Sequence, residues 1–171
     1  MEIIAVEIPE AGNREDVIKM LSEVLVKRGN AEEELLKAIL ERERRFPTGL
    51  KLKLGVNVAI PHADAKYIRR PAIVVTKLHN PVKFLNMEDR REIYVNIIFL
   101  LALNDPRSQI HVLQKLASMF QNEEIVLKLR SVRDSEELAN LLKKELFKED
   151  RLSTCEEATY QAQEGRKRVQ G

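Results

Sequence analysis

The stretch AIPHAD, residues 59–64, places His62 directly after Pro61 at the end of an apolar run, with Asp64 two positions on. The preceding VNVAI alternates in the manner of a strand, so the histidine is delivered to a sheet edge. Pro61 stiffens the approach and Ala63 leaves room beside the ring. Strand ends and the loops after them are where sheet-based folds carry reactive side chains. Pattern alone leaves two readings, an imidazole placed for chemistry and an ordinary loop histidine. Asp64 either orients the ring and fixes its tautomer or is a turn residue bonding its own backbone. The other two histidines are controls. His111 falls with Gln114, Lys115 and Ser118 on the polar side of a helix, as a solvated residue does. His79 precedes Asn80-Pro81, where a solvated turn residue is expected as readily as a functional one.

Two further side chains stand in unexpected register. Leu35, Ile39, Arg42 and Phe46 are spaced 4, 3 and 4, which is one face of a helix. Arg42 therefore lies along the core stripe, where it either snorkels to water or serves an anion. Gln109, Leu113, Leu116 and Phe120 repeat that spacing, and Gln109 falls in the first turn of its helix, where free N–H groups and the positive dipole end gather. It is either an amide satisfied by backbone or an anion donor. A histidine, an arginine and an amide together suit a phosphoryl group moving onto an imidazole. The neutral ring nitrogen attacks phosphorus while fixed donors stabilise the equatorial oxygens. No phosphate-binding glycine loop is present, so a nucleotide is not the expected donor.

These residues need a scaffold. Asn13 is placed to cap a helix with apolar positions Val17, Ile18, Leu21, Val24 and Leu25. Gly29-Asn30 ends it and caps a second, which opens with Glu32, Glu33 and Glu34 and closes with Arg42, Arg44 and Arg45, in keeping with the helix dipole. Pro47-Thr48-Gly49 breaks the pattern. LKLKLGVNVAI then reads as one or two short strands, and 71–78 as another. A turn at Asn80-Pro81 and a short strand at 82–84 follow. Residues 92–103 are apolar on both faces, which predicts a central strand covered on both sides. Asp105-Pro106 starts a helix carrying Ile110, Leu113, Leu116, Ala117 and Phe120. A short helix over 123–129 and another from Asp134 or Ser135 through Leu146 complete the order. The expectation is an α/β fold, a mixed β-sheet sandwiched between helices, over residues 1–149, with a polar C-terminal tail at 150–171.

Composition agrees and excludes several classes. At 171 residues the chain suits one domain, and 44% hydrophobic with 33% charged residues is a globular balance. A formal net charge of +2 gives no field for nucleic acid or membranes. The lone Cys155 allows neither an internal disulfide nor a metal-type spacing, and no cofactor is expected. The acidic start MEIIAVEIPE is unlike a signal peptide, and the apolar run 95–103 is too short to span a bilayer. A cytoplasmic protein without membrane insertion is expected.

At these residues the chain resembles the enzyme IIA components of the bacterial phosphoenolpyruvate-dependent sugar phosphotransferase system, within the fructose–mannitol superfamily and most like its galactitol-type branch. RERRFPTGL (42–50), GVNVAIPHAD (55–64), RPAIVV (70–75), NPVKFLNM (80–87), VNIIFLLAL (95–103) and QIHVLQKLASMF (109–120) carry the likeness. It implies the mannitol/fructose-type IIA fold. It also implies that His62 accepts a phosphoryl group from the phosphorylated histidine phosphocarrier protein and passes it to a IIB subunit, and thence to a sugar crossing through membrane IIC. Arg42 falls on the family's active-site arginine, in an arginine–glutamate pair with Glu43. Many mannitol- and fructose-type members carry a second active-site histidine at the start of a later helix, where Gln109, and not His111, stands here. Gln109 can donate a hydrogen bond but cannot take up a proton. Two other functions share these residues: a regulatory IIA-like protein that binds partners according to His62 phosphorylation, as nitrogen-related IIA proteins do, and a structural domain that has lost its donors, against which the presence of His62 and Arg42 argues.

Overall fold

The computed structural model describes residues 1–148; the predicted tail lies outside the described residues. The chain runs β1 (Glu2–Ala5), α1 (Arg14–Lys27), α2 (Leu35–Arg45), β2 (Gly49–Lys51), β3 (Asn57–Ala59), β4 (Ala72–Leu85), β5 (Glu92–Ala102), α3 (Pro106–Gln121), α4 (Glu123–Ser131) and α5 (Ser135–Leu146). The five strands form one mixed sheet in the order β1-β4-β5-β3-β2. β1 is parallel to β4 and β3 to β5, whereas β4–β5 and β2–β3 are antiparallel.

The predicted sandwich follows from the alternation along β5. Ile97, Phe99 and Leu101 join one core cluster with Val112, Leu116, Phe120, Val126 and Leu142 of α3–α5. Ile98, Leu100 and Ala102 join the other with Ile18, Leu21, Leu25, Leu35 and Ile39 of α1 and α2. β5 is the middle strand of the five, and from Ile97 to Ala102, where its text is unbroken apolar, it is covered on both faces.

The caps hold at several helix starts. Asn13, Asp105 and Asp134 accept from the backbone N–H groups of Asp16, Ser108 and Glu137. Four expectations need correction. β1 has no counterpart among the expected elements, because its text is only four residues long and shows no run of alternation. Asn30 does not cap α2, which begins at Leu35 without a side-chain cap. It is buried instead, where its Nδ2 donates to the Arg70 carbonyl at 3.2 Å and its own carbonyl accepts from the N–H groups of Arg69 and Arg70. Glu32 accepts both arms of Arg69 at 2.6 Å. The link before α2 is thereby fastened to the chain after His62. Third, the expected turn at Asn80-Pro81 is a register shift inside one strand: β4 continues to Leu85, and pairing with β5 lapses between Lys77 and Val82. Proline has no N–H for a ladder, and a bulge is where a strand tolerates it.

The fourth correction is the face of α3. Its buried positions are Val112, Leu116, Met119 and Phe120, while Ile110 is 57% exposed and Ala117 is exposed. Two helical stripes overlap at Leu116 and Phe120 in the sequence. Burial of Val112 (5% exposed) and Met119 (5%) selects between them, while Phe120, common to both stripes, packs on Phe99 with ring centroids 5.8 Å apart.

Candidate functional site

β3 ends at Ala59, and Ile60-Pro61-His62 continues along the C-terminal end of β5, where Leu101 N–H donates to the Pro61 carbonyl at 3.0 Å and His62 bridges Leu101 in parallel. His62 therefore lies at the strand's C-terminal end inside the sheet order, with β2 as the lateral edge beyond it. His62 is 8% exposed. Its Nδ1 is 2.8 Å from the Ile60 carbonyl oxygen. A carbonyl only accepts, so Nδ1 carries the proton and Nε2 keeps the lone pair of the neutral ring. Burial holds the imidazole pKa below the usual histidine range, reinforced by the Arg42 cation, whereas the Ile60 bond and Asp64 act in the opposite sense.

The Ile60 carbonyl thus has the orienting part for which Asp64 was a candidate. Asp64 is exposed and starts a short 3-10 turn over Ala65–Tyr67. Its carbonyl accepts from Tyr67 N–H, and its side chain makes no capping bond. It lines an open depression of about 190 Å³ together with Arg42, Phe46, Ala63 and Tyr67.

Arg42 is half-buried on the flank of α2. The buried stripe runs through Leu35, Ile39 and Glu43, a spacing of 4 and 4, and Phe46 is 64% exposed. The helix ends at Arg45, so Phe46 leaves the helical register that the sequence extended to it. The Arg42 guanidinium lies 5.7 Å from the centre of the Phe46 ring, an attractive cation–π distance. Its buried Nε has no hydrogen-bond partner among the described residues. Such a donor is an unmet demand for an acceptor, and Arg42 is one of the residues lining the depression.

Arg42 and Glu43 do not form an ion pair. Glu43 is 3% exposed and accepts from Thr48 N–H at 2.9 Å and from the Thr48 hydroxyl at 2.8 Å. Burial raises its pKa against those two bonds and the weaker pull of Arg14 and Arg42. Thr48 is a site neighbour that sequence reasoning passed over, having read it only as part of a helix break. The 4-and-4 spacing that buries Glu43 was the available signal.

Gln109 occupies the first turn of α3, which begins after Leu103, Asn104 and Asp105 at the end of β5 where His62 bridges. It is half-buried and does not line the Arg42 depression. His79 and His111 are exposed, and both lie away from that depression. Among the described residues no group of histidine, cysteine and carboxylate side chains is arranged to hold a metal ion, and no helix is long and apolar enough to cross a membrane.

The chain is 27% identical over 114 residues to the galactitol-specific EIIA component of the phosphotransferase system of Escherichia coli K12, covering 67% of this chain and 75% of that protein. It is 29% identical over 136 residues to the multiphosphoryl transfer protein of Shigella flexneri, covering 78% of this chain and 16% of that protein. The crystal structure of mannitol IIA from Escherichia coli superposes with a TM-score of 0.61 at 25% identity, covering 82% of this chain and 95% of that one. The solution structure of the cryptic mannitol-specific enzyme IIA of Escherichia coli does so with a TM-score of 0.65 at 21% identity, covering 82% and 92%. Residues 2–145 match the family described as phosphoenolpyruvate-dependent sugar phosphotransferase system, EIIA 2, and the chain belongs to that family of phosphotransferase components.

Proposed function

We propose that this protein is a phosphocarrier in sugar uptake, that His62 is its phosphoryl acceptor, and that Nε2 is the reacting atom. The observation that carries the reading is the Nδ1–Ile60 bond, which holds the proton on the far nitrogen and presents Nε2 as a neutral nucleophile. The Nε2 lone pair forms the new N–P bond as the bond from phosphorus to the imidazole of the histidine phosphocarrier protein breaks, and the bonding pair leaves with that imidazole. The His62 ring then carries a positive charge shared with Nδ1–H, which strengthens its bond to the Ile60 carbonyl. The unpartnered Nε of Arg42 supports a role for it in meeting the phosphoryl oxygens, and the helix-terminal place of Gln109 supports a second donor. Asp64 contributes charge at a distance. The next acceptor is a IIB subunit, and from IIB the group reaches sugar carried by membrane IIC.

The test supplies phosphoenolpyruvate, the general phosphotransferase enzyme and the histidine phosphocarrier protein, then looks for an acid-labile, base-stable phosphate. Wild type is expected to take up label and His62→Ala to take up none. Label on His62→Ala, or none on wild type, rejects the reading. Gln109→Ala is expected to label more slowly while remaining folded, and an unchanged rate would make the amide purely structural. A regulatory role under the same chemistry is separated by adding a cognate IIB, which drains the label only from a transport component.

A further inference from the structure

We infer that Glu43 and Thr48 are positioning residues for His62, acting through hydrogen bonds that run from the Glu43 carboxylate to Thr48, from Thr48 to Ile60, and from Ile60 to the ring. The inference rests on His62 as phosphoryl acceptor. Glu43 sits in the apolar stripe of α2 after Leu35 and Ile39, 3% exposed and without an ion-pair partner among the described residues. A carboxylate there costs desolvation that an aliphatic side chain would avoid, so stability alone does not call for it. Both of its oxygens are spent on Thr48, one on the N–H at 2.9 Å and one on the hydroxyl at 2.8 Å. Those bonds span the end of α2 and Pro47 beyond it, and fix Thr48, itself 4% exposed, against the last turn of the helix.

The Thr48 carbonyl accepts in turn from Ile60 N–H at 3.3 Å, and the Ile60 carbonyl accepts from His62 Nδ1–H at 2.8 Å. Ile60 precedes Pro61, which restricts it to extended conformations and offers no N–H of its own to the sheet. The direction of the Ile60 carbonyl is thus set from behind by Thr48. Because Arg42 is the residue before Glu43, the same bonds place the guanidinium and the imidazole in one frame. Loss of the anchor lets the carbonyl turn, and the proton then redistributes between Nδ1 and Nε2, removing the lone pair that attacks.

The experiment reads the ring directly. Imidazole nitrogen-15 signals of His62 are recorded for wild type, Glu43→Ala, Glu43→Gln and Thr48→Val, alongside the rate of labelling from the phosphorylated histidine phosphocarrier protein. Wild type is expected to show the Nδ1–H tautomer. Glu43→Ala is expected to show a mixture of tautomers and a rate lower by about 10- to 100-fold, the scale of a misplaced reacting group. Glu43→Gln keeps an acceptor for the Thr48 N–H and a donor to its hydroxyl, so it is expected to restore both readouts. Thr48→Val, which removes one bond and is close in shape, is expected to shift the tautomer balance in the same direction and serves if Glu43→Ala fails to fold. Retention of the Nδ1–H form in Glu43→Ala or Thr48→Val overturns the inference, as does failure of Glu43→Gln to restore it. If His62→Ala still labels, the acceptor assignment fails while the tautomer readout still judges the hydrogen-bond chain.

Discussion

At the scale of single residues the proposed chemistry turns on which form of His62 is present. Its pKa is depressed in the fold, so the neutral ring persists below the ordinary histidine range, and labelling is expected to be flat from neutral pH down to about 6.5 and to fall only at lower pH. The two charges nearby act with opposite sign. Arg42→Gln removes a cation that disfavours imidazolium, so its acid limb moves to higher pH; Asp64→Asn removes a carboxylate that favours it, so its limb moves lower. Rates from pH 5 to 8 for the three proteins check this, and limbs that coincide would show that neither charge reaches the ring. The same depression has a stability sign. The unfolded chain takes up the proton first, so His62 contributes stability above its unfolded pKa that is lost as pH falls through the folded one. His62 was legible as a candidate because a strand, a proline and a small residue surround it in sequence. Its partner was not, since a backbone carbonyl two residues back leaves no trace in residue type.

At the scale of elements, the site depends on how closely the β4–β5 hairpin meets β2. Gly49 bridges Asn86, and Met87 N–H donates to the Gly49 carbonyl at 2.8 Å. A Cβ on Gly49 would come within 2.6 Å of the Leu85 carbonyl oxygen and 3.1 Å of Ile93. The tighter of the two contacts is with backbone, where no flexible side chain can yield. Gly49→Ala is therefore expected to lose about 1–3 kcal/mol, the usual cost of overpacking, and to slow labelling because Thr48 moves with its neighbour. Denaturant unfolding beside the labelling rate checks it, and an unchanged midpoint would mean that the hairpin shifts freely. The same hairpin closes α2 from outside, where Arg90, itself at φ 58, donates to the carbonyls of Arg44 and Arg45. None of this was readable from periodicity. The sequence marks Pro47-Thr48-Gly49 as a break, but which strand passes within reach of the glycine is a property of topology. The continuous β4 was hidden for a related reason: Asn80-Pro81 has turn chemistry, and only its pairing history with β5 makes it a bulge.

At the scale of the whole molecule, the sheet is a partition with one core on each face, and the reading from sequence succeeded wherever a face could be inferred from alternation. β5 reads as central because its text from Ile97 to Ala102 is apolar in both phases. For α3 the sequence supports the helix but not its phase, since two stripes fit the text and the buried one runs through Val112 and Met119. The buried hydrophobic positions among the described residues run from Ile3 to Leu146, and α5 closes the face that holds Ile97, Phe99 and Leu101. We expect a chain ending at residue 149 to fold and label like the full chain, with a thermal midpoint within about 3 °C, a shift that less than ~1 kcal/mol produces. A chain ending at residue 140 removes Leu142 and Leu146, which are 0% and 2% exposed. Each deleted leucine costs about 2–5 kcal/mol, which together consumes most of the 5–15 kcal/mol or so that holds a domain folded. That shorter chain is expected to show no cooperative unfolding and no label. Calorimetry of the three lengths decides the boundary: loss of cooperativity in the 149-residue chain would extend the folding unit into the residues beyond it, and a folded 140-residue chain would show that α5 is an accessory to the core and not its wall.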